Sequence, residues 1–140
     1  MNWKIALAAG LLCGLAAGCE RDPTDGPGPN PLNGTRWRLV RWTGETLNPA
    51  RFNIRAEFSA TEISGQAAVN SYSGPCVATL GGRFTVGALS STTMAGTPEQ
   101  MRAEAHYFNL LRQARSYVAI ADRLTLRDGQ GRDLLEFVGW

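Results

Sequence analysis

One histidine and three cysteines are all that the sequence offers for metal or thiol-imidazole chemistry. That excludes the metal sites and triads that need several histidines or a CxxC pair. His106 falls beside the apolar stripe of an expected helix and reads as a surface or half-buried structural residue. Glu99 and Glu104 stand five apart on that helix and point in different directions, which disfavours a carboxylate pair. Ser90 to Thr93 (SSTT) supply hydroxyls, yet no G-x-S-x-G elbow accompanies them, so a strand-end hydroxyl ladder is the plainer reading. Gly81-Gly82 lacks the following Lys-Ser/Thr that a phosphate loop requires. The expectation is a protein that is not an enzyme, with no cofactor and no metal.

A different chemistry is written at the start of the chain. Met1 to Gly18 carries one cation, Lys4, followed by the apolar run IALAAGLLCGLAAG from Ile5 to Gly18. Fourteen residues are few for a bilayer span, and these flanks fit the apolar core of an export signal. The stretch LAAGC, Leu15 to Cys19, resembles the bacterial lipobox. In that motif the cysteine is acylated, palmitate included, and becomes the first mature residue. Cys13 is a poor rival because Leu12 is too large for the position before the cut. A plain secretory signal cut nearby, or an uncleaved anchor, is the alternative. With more than one acyl chain, each contributing about 0.8 kcal/mol per buried CH₂, the anchoring is stable and no amphipathic helix is needed. Glu20, where sorting rules use Asp for inner-membrane retention, resembles an outer-membrane address facing the periplasm in a Gram-negative source.

Cleavage before Cys19 would leave 122 residues with 13 arginines, no lysine and 12 acids, a nearly neutral surface. Nucleic-acid binding needs a concentrated basic footprint, and that class is set aside. The expected partners are the membrane, through Cys19, and an unknown envelope protein or small hydrophobic ligand; a monomer is expected.

The elements follow from composition and period. With 140 residues, 44% apolar and 19% charged, one domain is the ceiling. Glu20 to Asn33 (ERDPTDGPGPNPLN) reads as a tether, reaching about 40 Å at roughly 3.1 Å per residue. The folded part is expected over 34–140. Trp37 and Leu39 face one side of an opening strand, with Arg36, Arg38 and Val40 on the other. Phe52 to Ser59 alternates through Phe52, Ile54, Ala56 and Phe58. Glu62 to Ala68 predicts a third strand, Ser71 to Gly82 a loop-rich stretch, and Arg83 to Ala88 and Leu89 to Met94 further short strands. Thr97-Pro98-Glu99-Gln100 is a helix start, with Thr at the N-cap, Pro next and Gln three residues in. The helix is expected to run to about Ala114, with Met101, Ala105, Phe108 and Leu111, and Leu110 and Ala114 beside them, as its apolar stripe. Tyr117 to Ala121, Arg123 to Arg127 and Asp133 to Val138 read as strands, the last two joined by a turn over Asp128 to Gly131. The fold class is α+β: an antiparallel β-meander, a partly open barrel-like sheet, with one packed α-helix.

The stretches ISGQAAVNSYSGPC (Ile63 to Cys76), LSSTTMAG (Leu89 to Gly96) and LTLRDGQGRDLLEF (Leu124 to Phe137) resemble the META domain, the fold of HslJ-type lipoproteins. The family motifs run G-x-x-G-C-N-x-Y-x-G and S-T-x-M-A-C. Ser64-Gly65, Asn70, Tyr72 and Gly74 fit the first, and Ser91, Thr92, Met94 and Ala95 the second. Val69 and Gly96 stand where the family has two cysteines that look like disulfide partners. Cys76 is then left without an intramolecular partner: a buried small apolar residue, a reactive thiol or an intermolecular link. The resemblance implies a role in envelope stress or antibiotic tolerance. Asn70 and Gly74-Pro75 read either as a fixed loop geometry or, with Tyr72, Ser91, Thr92 and Met94, as a candidate binding face. Trp37, Trp42 and Trp140 fit either core or groove. A pilot-type lipoprotein chaperone holding a hydrophobic segment of a secretion component is an alternative, which an apolar cleft between helix and sheet would favour. A small β-barrel protease inhibitor is another.

Overall fold

The strand that opens the fold, β1 (Arg36–Trp42), alternates as its sequence predicts, with Trp37 and Leu39 inward and the arginines outward. Strict alternation would turn Trp42 outward. A register shift between Leu39 and Arg41 opposite the last strand adds the residue that brings Trp42 into the core. The computed structural model describes residues 28–140. The signal reading and Cys19 lie outside the described residues, as does the tether up to residue 27.

After β1 come a 3₁₀ turn (Pro49–Phe52), β2 (Arg55–Phe58), β3 (Glu62–Gln66), β4 (Ser71–Ala78), β5 (Phe84–Val86) and β6 (Ser90–Ser91). Helix α1 (Pro98–Gln113) follows, and β7 (Ser116–Ile120), β8 (Arg123–Arg127) and β9 (Asp133–Gly139) complete the chain. The antiparallel sheet runs β5-β4-β3-β2-β1-β9-β8-β7, with β6 also beside β4. Its outer strands meet: Arg83 bridges Ser116, Phe84 N–H donates to Arg115 O at 3.1 Å, and Tyr117 N–H donates to Gly82 O at 2.9 Å. The α+β fold with a nearly closed barrel and one helix is therefore observed. Phe84, Leu124, Leu126 and Phe137 fill its interior.

Three local expectations are corrected. The strand expected over 52–59 is confined to Arg55–Phe58, because the 3₁₀ turn occupies Pro49–Phe52 and Asn53 takes a left-handed conformation, φ 52°. The stretch from Ser71, expected to be loop-rich, holds β4, eight residues of regular alternation. Pro75 is tolerated there because β4 passes at that point from pairing with β6, at Tyr72 and Ser73, to pairing with β5, from Cys76. Gly74 is needed at the same junction: a Cβ would lie 2.8 Å from Ala88 O and from the Leu89 side chain. The helix begins as expected, with Thr97 and Gln100 forming a reciprocal capping box worth about 1 kcal/mol. Its buried stripe, however, is Ala103, Glu104, Tyr107, Leu110 and Leu111, while Met101 and Ala105 are exposed.

The barrel has two distinct ends. The β2–β3, β4–β5 and β7–β8 turns share one rim with the entering chain and the C-terminus. Asn30 Nδ2 donates to Ser59 O at 3.0 Å, and Gly139 N–H donates to Asp122 O at 2.7 Å. Leu32 and Asn30 are buried there, so the packed body starts ahead of Gly34. Helix α1 lies across the opposite mouth, touching β5, β9, the 3₁₀ turn between β1 and β2 and, through Glu104, the β3–β4 turn. Burial of Tyr107, Leu110 and Leu111 beneath it contributes about 1.5–3 kcal/mol each.

Candidate functional site

At the α1 end, the β3–β4 turn is closed by Ala67 N–H donating to Asn70 O at 2.8 Å and by Gln66 Nε2 donating to Val69 O at 2.8 Å. Gly65 is obligatory just before it, since a Cβ would stand 2.1 Å from Arg55 O. The turn leaves the N–H groups of Val69 and Asn70 pointing at α1. Both donate to Glu104 Oε2 at 2.8 Å. Asn70 Nδ2 donates to Glu104 Oε1 at 2.7 Å and to Met94 O at 3.1 Å. Asn70 Oδ1 accepts from Thr92 Oγ1 at 2.8 Å and from Met94 N–H at 2.7 Å. The Met94 N–H can only donate, which fixes the orientation of the amide.

Asn70 thus uses both amide hydrogens and two acceptor positions, all within the protein. The buried Glu104 carboxylate takes three donors and no cation. Charge-assisted bonds of this kind contribute about 1.5–3 kcal/mol each where solvent is excluded. The constellation joins the β3–β4 turn, the segment before α1 and α1 itself. It leaves no free nucleophile and no exposed general acid. Among the described residues no group of three His, Cys, Asp or Glu side chains could hold a metal ion.

Tyr72 is likewise internal. Its hydroxyl donates to Arg55 O at 2.9 Å and lies 2.6 Å from the Tyr107 hydroxyl, which must then act as the donor to it. Burial raises both phenols well above their ordinary range. Of the five residues expected at a binding face, Asn70 and Tyr72 are therefore inside, and Ser91, Thr92 and Met94 are exposed on one strip. The Thr92 hydroxyl also accepts from Ser71 N–H at 3.2 Å. Between strip and helix runs a shallow groove with Met94, Met101, Ala105 and Phe108 on its walls and Asn70 and Glu104 at its back.

The remaining candidates are structural. His106 Nε2 lies 2.7 Å from Thr43 O, and its ring meets Trp42 edge-on at 5.1 Å. Glu99 pairs with Arg51 at 3.3 Å. Trp37 and Trp42 are core residues whose indole N–H groups donate to Thr35 Oγ1 and Leu47 O, whereas Trp140 is exposed at the far rim. Cys76 is buried, and burial pushes its thiol up to about 12. Val69 and Gly96 are in contact: a Cβ on Gly96 would lie 2.4 Å from Val69 Cγ2, so the valine side chain fills the space beside the glycine. Sequence reasoning weighed Glu104 only as a carboxylate partner of Glu99 and missed its burial. Its signal was the spacing Ala103, Tyr107, Leu110, Leu111, Ala114, which draws position 104 into the buried stripe.

Solved structures share this architecture. An NMR structure of a protein from Burkholderia xenovorans matches with a TM-score of 0.63 and 24% identity, covering 78% of this chain and 83% of that one. A crystal structure of a DUF4847 family protein from Bacteroides vulgatus matches with a TM-score of 0.56 and 12% identity, covering 76% and 93%. These likenesses show the fold. No curated protein matches the sequence. The META domain profile matches residues 30–138, spanning both motifs, the helix and the closing hairpin, and the chain belongs to the META domain family.

Proposed function

We propose that the protein is a lipid-anchored, non-catalytic envelope module that uses the strip around Ser91, Thr93 and Met94, with the groove beside α1, to bind another envelope protein. One observation carries the reading. The family residues Asn70 and Thr92, with Glu104, grip the strip from behind through the Met94 backbone and leave its Ser91, Thr93 and Met94 side chains outward. A segment whose backbone is pinned in this way loses less conformational entropy when its outer face binds. Met94 and Met101 supply adaptable apolar contact at the groove. The lipobox resemblance at Cys19 supports an acyl anchor, Glu20 supports an outer-membrane address, and the HslJ-type resemblance supports a role in envelope stress or antibiotic tolerance.

The pilot-chaperone reading needs an apolar cleft between helix and sheet, and Tyr107, Leu110 and Leu111 fill that interface. A photo-crosslinking residue at Met94, introduced in cells, tests the binding face against the same residue at Gln130 on the β8–β9 turn. A discrete protein adduct from position 94 and none from position 130 is expected. Adducts from neither position, or equally from both, would overturn the reading. The intact mass of the mature protein reports separately on acylation at Cys19.

A further inference from the structure

The large apolar side chains exposed among the described residues are Val77, Leu80, Met94, Met101, Ile120 and Trp140. Met94 and Met101 line the groove beside α1. The other four gather at the opposite end, on the rim where the chain enters the barrel. Leu80 sits in the β4–β5 turn at 84% exposure and Ile120 at the end of β7 at 70%. The β4–β5 turn lies against the first residues of β7, because Tyr117 N–H donates to Gly82 O and the Tyr117 hydroxyl donates to Thr79 O at 2.7 Å, and β7 runs on from there by about 10 Å to Ile120. Trp140, 59% exposed, is held beside the β7–β8 turn and the start of β1 through Gly139 N–H on Asp122 O and Trp140 N–H on Arg36 O.

We propose that this rim docks on the phospholipid bilayer to which the chain is tethered, with Leu80, Ile120 and Trp140 entering the headgroup region. The tether rests on the lipid-anchor reading above; the rim's chemistry stands apart from it. Ten residues separate Cys19 from Asn30, where the packed body begins on this same rim. Fully extended, they span at most about 35 Å. A tether that short holds the rim at an effective concentration of roughly millimolar against the surface, so weak insertion is enough. The side chains suit an interface. Trp140 lies 5.7 Å from the Arg36 guanidinium and 5.1 Å from that of Arg55, an aromatic ring flanked by cations that reach phosphate level. The acids nearby largely offset those cations: Glu57 pairs with Arg36, Glu136 with Arg123, and Glu62 and Asp122 are exposed. Insertion of apolar side chains, with little dependence on anionic lipid, is therefore the expected mode.

The test supplies the tether independently of acylation. A mature chain with Cys19→Ser and an N-terminal hexahistidine tag is held on phosphatidylethanolamine–phosphatidylglycerol vesicles by a nickel-chelating lipid. An environment-sensitive fluorophore is placed through Leu80→Cys, Ile120→Cys or, at the opposite end, Met94→Cys; the native Cys76 is buried. On vesicles the probes at positions 80 and 120 are expected to shift to the blue and to lose at least threefold in quenching by iodide, while the probe at 94 is unchanged. With the probe at position 80 or 120, replacing the other two of Leu80, Ile120 and Trp140 with serine should reverse its protection, and the same chain in solution, read by circular dichroism, keeps its fold. Equal accessibility at both ends overturns the proposal. Protection that appears without vesicles and grows with protein concentration assigns the rim to a second copy, and also overturns it. An unmodified Cys19 in the native protein's mass would sink the anchor reading while leaving this result standing.

Discussion

At the mouth covered by α1, the hydrogen-bonding groups of Asn70 and the carboxylate of Glu104 are engaged inside the protein, whereas at the entry rim Leu80, Ile120 and Trp140 stand in solvent. The first end is held by directional bonds in low dielectric, where each unmade bond is costly. At the second, Leu80, Ile120 and Trp140 contribute little to stability, because most of their surface stays in water. The motif residues that identify the family are concentrated at the first end, and two of them, Asn70 and Tyr72, are buried. A motif can therefore mark the framework of a surface, while the surface that meets a partner is made by side chains the motif leaves free.

Asn70→Asp should break the contrast most severely. It replaces the amide donor 2.7 Å from Glu104 with a second carboxylate, and a loss of about 3–5 kcal/mol is expected in the unfolding free energy read by urea titration. Val69→Cys with Gly96→Cys should strengthen the same end. The positions are in contact and close a 27-residue separation, so oxidation is expected to add about 2–4 kcal/mol, lost again on reduction.

The interior between the two ends has its own signature. The Cys76 thiol is raised from 9.0 to about 12 by burial, and Tyr72 and Tyr107 are raised as well. Above pH 9 the unfolded chain releases these protons while the folded chain keeps them. Stability is thus full below pH 9 and falls as pH rises toward 12, which urea titrations across that range will show. Native protein at pH 8 should resist alkylation at Cys76 and react once unfolded. Smallest of all, serine at Leu80, Ile120 and Trp140 should change stability by no more than about 0.5 kcal/mol per site, although membrane contact is lost. A larger loss would mean that the rim belongs to the core.

Legibility in the sequence followed the range of the interactions. Thr97-Pro98-Glu99-Gln100 predicted the start of α1, because a capping box is closed within four residues. The outward arginines of β1 and the turn after β8 were legible for the same reason; in that turn the Asp128 carboxylate accepts from Arg132 N–H, the Arg132 guanidinium and Gln130 N–H, and these bonds hold its pKa below the usual range. β4 was hidden by Gly74 and Pro75, which read locally as chain breakers. Only the change of partner from β6 to β5 beside them makes an eight-residue strand possible.

The role of Glu104 was illegible for a sharper reason, although the helical spacing placed its position in the buried stripe. A carboxylate on a helix is ordinarily solvated, and nothing within a turn of it in the chain offers compensation. The donors that make its burial affordable come from Val69 and Asn70, 35 and 34 residues away. The sequence by itself determined the hydrophobic periods, the caps and turns, the family and the resemblance of LAAGC to an acylation site, since each is a property of neighbouring residues. The tertiary structure alone decided which polar side chains are inside and which apolar ones are left out. That outcome depends on long-range pairing, which brings donors to a buried charge at one end and gathers Leu80, Ile120 and Trp140 on one rim at the other.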